Sequence, residues 1–490
     1  MKTKPSFSEF KQMAEQGDII PVYQEFLADV ETPVSAYLKI RDKRFSYLLE
    51  SAEGGERWGR YSFIGYKPYV VVMSRGREVE IEEEGETTIL KDVENPLFVL
   101  RDLSRRFTPV TSDDLAPFQG GLVGYFNFDL VRKWEYLPGV DPEDKDVPEC
   151  LFAASQRLIV FDHFKHRMTV VAFALLRNGK DMEEVYSQAC QEIEEMKEEL
   201  GRPLPVYSKS DDFSLSELQP NFKKEEFEAV VRKAKDYIVA GDIIQVVLSQ
   251  RFSGELSGED FLLYRNLRSV NPSPYMFYLN FGEIKLIGAS PEILVRLTDR
   301  KIDLRPIAGT RPRGNTQEAD LGLEEDLISD PKERAEHIML VDLGRNDVGK
   351  VAVAGSVTVP DLMVVERYSH VMHIVSSVEG TLKPDRDSYD LFMSAFPAGT
   401  VSGAPKIRAM EIISELEPTA RGPYAGAVGY FAFNGNMDFC ITIRTIAVIK
   451  NQLSIQVGAG IVADSSPEEE YQETLRKGGA MFRAIERVKA

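Results

Sequence analysis

The strongest constraint on this chain is a period-two hydropathy that recurs through both of its halves. Alternating segments lie at 21–26, 35–40, 45–50, 69–74, 78–83, 121–128 and 157–173, and again at 244–251, 275–281, 284–289, 292–298, 424–433, 437–449 and 452–457. Alternation sends successive side chains to opposite faces of a sheet. Many of these segments follow one another in hairpin-like series, so antiparallel sheets are predicted. A helical period appears at 7–16, 181–200, 223–240, 258–269, 330–344, 401–416 and 467–488. In 181–200 it places Val185, Ala189, Ile193, Met196 and Leu200 on one face opposite a Glu-rich one. The predicted fold class is α+β, with large packed antiparallel sheets flanked by helices.

A chain of 490 residues exceeds one ordinary core. The segment 201–216 carries prolines and polar residues with no apolar period, which places a boundary near residue 215 and domains at 1–215 and 216–490. One octet echoes another, Gly121-Leu-Val-Gly-Tyr-Phe-Asn-Phe128 against Gly426-Ala-Val-Gly-Tyr-Phe-Ala-Phe433. It fits two related sheets packed together, but a single octet is not a repeat, and shared strand composition explains it more simply.

The formal charge is 59 − 78 = −19. That balance argues against nucleic acid or an anionic membrane as a partner. The amino terminus lacks the apolar core of a signal peptide, no run approaches a membrane span, and three scattered cysteines fit neither a disulfide framework nor a zinc site. A cytoplasmic protein is expected.

Against that acidic background the loop 303–314 stands out, with Arg305, Arg311 and Arg313 around Gly309, a combination suited to a small polyanion. Glu333 and Glu336, and Glu470 and Glu473, are pairs three apart on predicted helices, so each pair shares a face. Two such helices facing each other would form the hard oxygen environment that Mg²⁺ prefers. The run 456–463 matches Gly-x-Gly-x-x-Ala, but Asp464 to Pro467 interrupts it before a helix begins, which excludes a dinucleotide site. His370 reads as structural and His373 as a residue able to orient substrate or move a proton. Arg444, a charge among β-branched neighbours, needs an anionic partner.

Taken together, Pro306-Ile-Ala-Gly-Thr-Arg-Pro-Arg-Gly314, the motif 332–347, Phe396-Pro-Ala-Gly-Thr-Val-Ser-Gly-Ala-Pro-Lys406 and Gly458-Ala-Gly-Ile-Val-Ala-Asp464 resemble the chorismate-utilising enzymes, and among them the large subunits of anthranilate synthase. The resemblance implies the two-domain fold of that family and a Mg²⁺-dependent conversion of chorismate and ammonia to anthranilate and pyruvate. It implies Glu336 and Glu473 as metal ligands, with His373, Glu333, Glu470 and Thr400 in catalysis. Gly309, Thr310, Tyr424, Arg444, Gly458, Ala459 and Gly460 would bind chorismate. Glu50, Ser51, Pro274, Tyr275 and Met276 would form a pocket for the feedback inhibitor tryptophan. A separate glutamine amidotransferase subunit, joined with this chain in a heterotetramer as the resemblance implies, would supply the ammonia, and free ammonia should support the isolated chain. Relatives that make aminodeoxychorismate carry a nucleophilic lysine where this chain has Ala308. Relatives that add water carry a basic lysine where it has Gln245. Both differences favour direct amination to anthranilate.

Overall fold

The computed structural model describes residues 2–51, 59–138, 147–177, 179–204, 213–368 and 371–489. Residues 205–212 of the expected linker and His370 lie outside them.

Two sheets grow from one long strand pair. Tyr61–Arg75 and Cys150–Asp162 run antiparallel, with Tyr61 opposite Asp162 and Ser74 opposite Cys150. At one end this pair is extended by Glu78–Glu83 and Glu86–Leu90 on one edge and by Gly121–Phe126 on the other. At its other end Ser46–Glu50 joins one edge, and Arg167–Leu175 with Ile19–Leu27 the other. Long strands that serve two sheets let the sheets face each other without a free edge between them.

The second half repeats this plan. Ile284–Ser290 and Ile293–Thr298 pair with Thr445–Ile449 and Met437–Ile441 as the two long strands pair in the first half. Lys301–Leu304, Ala427–Ala432, Tyr275–Phe281, Gln452–Ile461 and Gln245–Ser257 take the places of the flanking strands. The halves meet edge to edge at two seams, where Gly124 faces Gly429 and Leu48 faces Tyr278. The echoed octets are thus antiparallel neighbours in one ladder and mark a pseudo-twofold axis. Their central glycines are held to the same task. A Cβ on Gly124 would lie 2.0 Å from the Leu151 carbonyl oxygen and 2.8 Å from the Phe152 ring, and one on Gly429 would lie 2.1 Å from the Asp438 oxygen and 2.8 Å from the Phe439 ring.

Helices Pro33–Ile40, Met182–Leu200, Phe261–Val270 and Pro467–Lys489 cover the outside of one sheet with a continuous apolar core. Pro96–Arg105 and Ser388–Ala395 pack with the other. Between the sheets, Tyr275 of one donates to Asp438 of the other at 2.9 Å. The α+β class expected from the sequence is therefore observed. Strands on both sides of residue 215 share these ladders, and Ser214–Leu215 itself pairs with 256–257.

One local expectation was overturned. Residues 35–40 alternate in sequence, yet Pro33–Ile40 is a helix, because Thr32 and Ser35 form a capping box, Pro33 occupies the first turn, and Ala36, Tyr37 and Ile40 bury one face. The period is ambiguous over so short a segment. Among the described residues, no helix is long and apolar enough to cross a membrane.

The repeat breaks in one place. Where the first half joins Glu78–Glu83 to Glu86–Leu90 by a tight turn, the second inserts residues 305–377 between Lys301–Leu304 and Val378–Thr381. The insertion contains helices Gln317–Ser329 and Pro331–Val351 and a small sheet of Ile307–Pro312, Val371–Val375 and Val364–Arg367.

Because both seam glycines meet backbone atoms, Gly124→Ala and Gly429→Ala are each expected to destabilise the chain by about 1–3 kcal/mol, read as a lowered midpoint of urea unfolding. A change in only one of the two variants would contradict the shared role.

Candidate active site

The pseudo-twofold axis allows each residue near the insertion to be compared with its counterpart. Gly65 pairs with Leu158, and Gly288 with Thr445. Both glycines lie under an aromatic ring, Tyr47 in one half and Phe277 in the other, 2.1 and 2.0 Å from where a Cβ would stand. Phe152 and Phe439 correspond at the seam, and the same offset makes Arg157 the counterpart of Arg444.

The two arginines have opposite surroundings. Arg157, 3% exposed, is ion-paired to Glu192, Glu195 and Glu199 of helix Met182–Leu200. Arg444 is largely buried, yet it donates to a carbonyl, that of Lys477, at 3.0 Å. No carboxylate lies within ion-pair distance of it among the described residues. Burial pushes its pKa down, against the attraction of Glu473 and Tyr424 nearby. The strand also changes here. Cys150–Asp162 is continuous, but its counterpart stops at Ile441 and resumes at Thr445, and Arg444 between them has φ +52°. A non-glycine residue in that region costs roughly 1–2 kcal/mol, which functional sites tolerate.

A second break aligns with it. Ile284–Ser290 and Ile293–Thr298 are separated at Glu292, whose carbonyl accepts from the Ile441 amide at 3.0 Å. The Glu292 carboxyl is enclosed, and burial lifts its pKa to about 8, against the opposing influence of Thr400 and Lys477. Thr400 lies in the short helix Gly399–Ser402 beside it, and among the described residues its buried hydroxyl oxygen has no hydrogen-bond partner of normal geometry. Glu292 escaped the sequence reading because Ser290-Pro-Glu292 has no spacing signature; only burial reveals it.

Helices Pro331–Val351 and Pro467–Lys489 bring up the four glutamates. Glu336 accepts from the Gln245 amide at 3.0 Å, and Glu333 from Arg311 at 3.1 Å. Glu473 is held by Arg476 at 2.8 Å and lies 3.6 Å from Lys477. Glu470 has its pKa raised by burial and by the charge of Glu473, while Ser465, Lys332 and Lys477 oppose the shift. Lys332, at the start of the first helix, lies near enough to Glu470 to act on its charge.

The insertion supplies the remaining wall. Gly309, φ +66°, forms a bulge between Ala308 and Thr310 in the ladder with Val371–Val375, and a Cβ there would lie 2.9 Å from Leu327 and 3.1 Å from a Glu333 oxygen. Its carbonyl receives a hydrogen bond from His373 Nδ1 at 2.9 Å, with the Thr310 hydroxyl 3.1 Å from the same nitrogen. A carbonyl can only accept, so Nδ1 carries the proton and Nε2 is the acceptor. Burial lowers the pKa of this ring and keeps it neutral. Opposite, Gly458 and Gly460 lie in Gln452–Ile461, where a Cβ would lie 2.6 Å from the Tyr424 hydroxyl and 2.5 Å from the Gln245 amide nitrogen respectively. Ala459 between them is fully buried. The glycines belong to a strand, and the helix begins only at Pro467, which agrees with the rejection of a dinucleotide motif.

The three arginines that first suggested an anion site are internally paired: Arg311 to Asp326, Asp330 and Glu333, Arg313 to Asp320, and Arg305 to Glu366. They fasten the insertion together. Of the expected inhibitor residues, Glu50 and Met276 are direct cross-strand partners at the Leu48–Tyr278 seam. Glu50 is buried, with Arg268 at 3.0 and 3.2 Å and the Tyr264 hydroxyl on its oxygens. Tyr275 points to the other face, where Asp438 and Arg296 hold its hydroxyl at 2.9 and 3.1 Å. Pro274 immediately precedes it, and Ser51 follows Glu50 at the end of its strand.

The chorismate binding enzyme family matches residues 16–483. The chain belongs to that family. It is 48% identical to anthranilate synthase component 1 of Synechocystis over 98% of this chain and 99% of the relative, and 48% identical to that of Aquifex aeolicus over 99% and 98%. A crystal structure of anthranilate synthase component I from Streptococcus pneumoniae, 35% identical, superposes with a TM-score of 0.74, covering 93% of this chain and 98% of that one. The menaquinone-specific isochorismate synthase of Escherichia coli shares the fold at 18% identity, with a TM-score of 0.73 and 98% coverage of each chain.

Glu292 offers a direct test of this family member's electrostatics. Its pKa is raised from 4.5 to about 8, so the folded chain holds a proton that the unfolded chain releases between those values. Stability from this group is present in full below about pH 4.5 and lost as pH rises towards 8. Glu292→Gln should therefore gain stability relative to the parent between pH 5 and 8, measured as the difference in urea midpoints. A difference independent of pH would contradict the burial argument.

Proposed function

We infer that this chain is the synthase component of an anthranilate synthase, converting chorismate and ammonia to anthranilate and pyruvate in the first committed step of tryptophan formation. The observation that carries the reading is Arg444, a largely buried cation with no carboxylate at ion-pair distance among the described residues, at the place where its counterpart Arg157 has three. A dianionic substrate supplies what is missing, a carboxylate for a two-toothed hydrogen bond. Near-full-length similarity to proteins of that name supports the choice of substrate.

The residues divide the work by their protonation states. Glu292, with a pKa of about 8, is protonated at neutral pH and can give its proton to the departing 4-hydroxyl of chorismate. His373, neutral with Nε2 as acceptor, can take a proton from the ring carbon or from the new amine. As the ring carbon next to the carboxylate-bearing one gains a bond to nitrogen, the C4–O bond breaks and water leaves. Loss of pyruvate and a ring proton then yields the aromatic product. Ala308 presents no amine to form a covalent intermediate, so ammonia itself is the nucleophile. Gly309, Thr310, Tyr424, Gly458, Ala459 and Gly460 form the close walls around the ring.

The donor set also fits Mg²⁺. No three His, Cys, Asp or Glu among the described residues gather tightly enough to enclose a metal alone, while the pKa of Glu470 is raised chiefly by burial, with a lesser push from Glu473 on the same helix. Such a site suits an ion that keeps water and takes a substrate oxygen. Glu336 and Glu473 would hold it, with Glu333 and Glu470 behind them, and it would neutralise the ring carboxylate. Feedback by tryptophan at the Glu50–Met276 seam belongs to the same proposal, since that seam joins the two halves and a ligand there would bear on both. So do a glutamine amidotransferase subunit as ammonia donor and a cytoplasmic location.

With chorismate, Mg²⁺ and ammonium, the purified chain should release blue-fluorescent anthranilate, and tryptophan should suppress the signal. Accumulation of aminodeoxychorismate, or intact chorismate in the presence of all three, would overturn the reading.

A further inference from the structure

Arg421 is 2% exposed and stands shortly before Tyr424 in the chain. Its guanidinium reaches three segments at once. Nε and Nη2 donate to the Glu417 carboxylate at 2.9 and 2.6 Å, Nη1 donates to the Val401 carbonyl at 2.6 Å, and Nη2 also donates to the Val247 carbonyl at 2.6 Å. Val401 follows Thr400, and Val247 is the ladder partner of Gly460. Glu417 extends the net along the same strand. It accepts from the amide and the hydroxyl of Ser249 at 2.8 and 2.9 Å, and Ser249 is the ladder partner of Gly458. The planar cation also lies 4.6 Å from the ring centre of Phe128 and 5.6 Å from that of Tyr424. The duplicated sheet plan does not require this group. Gly120 and Ala425, just before the two octets, both have positive φ, +100° and +62°, yet the residue standing as far before the first octet as Arg421 stands before the second is the buried Ala116. Desolvation offsets much of the attraction in a buried ion pair, so stability alone is a weak reason to keep one.

We propose that Arg421 is a positioning residue for chorismate, aiming the Tyr424 ring and holding the Thr400 segment against strand Gln245–Ser257 so that both hydroxyls meet the substrate together, a role that rests on the chorismate reading above. The two hydroxyls need support for different reasons. Thr400 sits in a helix of a single turn, Gly399–Ser402, which cannot hold itself, and the Val401 carbonyl is one of those that such a short helix leaves without an internal partner. Arg421 supplies that partner. Tyr424 lies between helix Lys406–Leu416 and strand Ala427–Ala432, outside the ladders, and its hydroxyl stands against Gly458, 2.6 Å from where a Cβ would lie. Burial pushes the Tyr424 phenol up to about 12, with Arg421 the foremost opposing charge, so the hydroxyl remains a donor at neutral pH and can bond to a carboxylate. The fork geometry matters as much as the charge. A lysine would keep the cation beside Glu417, but its ammonium is a point donor and cannot span the carboxylate and both carbonyls in one plane.

The test is chorismate affinity, measured by calorimetry without ammonium, in Arg421→Lys alone and in a background that also carries Tyr424→Phe and Thr400→Ala. Alone, the lysine should weaken binding roughly tenfold or more. In the background without the two hydroxyls it should weaken binding by less than about threefold further, because the groups through which Arg421 acts are gone. Urea midpoints of the same proteins read the fold separately. Equal losses in the two backgrounds, or no loss in either, would overturn the role and leave Arg421 as a tie between helix and strand. If the lysine variant does not fold, Glu417→Gln takes its place, since it keeps the shape and loosens the guanidinium; the same pattern is expected, and an unchanged affinity overturns the role as well. A parent chain that does not bind chorismate would instead remove the reading on which the role stands.

Discussion

The site depends on a charge that the protein leaves uncompensated. Burying a guanidinium is expensive unless carboxylates meet it, and the first half of the chain solves this at Arg157 with Glu192, Glu195 and Glu199. The second half keeps the arginine, breaks the strand on which it sits, and answers it with the carbonyl of Lys477. The duplicated scaffold thus carries one closed copy of the position and one open copy. The three ion pairs belong to the first copy alone.

The insertion 305–377 completes the open copy. The repeated framework supplies Arg444, Glu292, Gln245, Gly458, Gly460 and the glutamates of Pro467–Lys489, and the insertion adds Gly309, Thr310, His373 and the glutamates of Pro331–Val351. Its own arginines are consumed in fastening it to itself. The close contacts at Gly309, Gly458 and Gly460 leave room where side chains would otherwise project, so several backbone segments and three kinds of ionisable group can approach one small molecule. Burial favours the neutral form of two different groups, raising the pKa of Glu292 to about 8 and lowering that of His373.

Much of this was legible in the sequence. Strands announced themselves by alternation, and helices Met182–Leu200 and Pro467–Lys489 by their apolar stripe, because those periods are imposed by burial on one face. The paired glutamates followed from helical spacing. The duplication was visible only as one octet, since its other correspondences, such as Tyr47 with Phe277 or Gly65 with Gly288, preserve a packing task without preserving a motif. Pro33–Ile40 was misread because a short segment can satisfy either period, and capping decided it. Glu292 could not be found from sequence, as its significance lies in its enclosure. The arginines of 303–314 were conspicuous for a structural reason, and Arg444, singled out as a charge among β-branched neighbours, has no carboxylate within ion-pair distance among the described residues.

The most direct measurement compares chorismate affinity and thermal stability in Arg444→Met. If the arginine is held for the substrate, removing a largely buried charge should leave the melting temperature unchanged or raise it, while chorismate binding measured by calorimetry weakens roughly 100-fold or more, equivalent to about 3 kcal/mol. A lower melting temperature with undiminished chorismate affinity would show that Arg444 serves the fold, and would contradict the account at its centre.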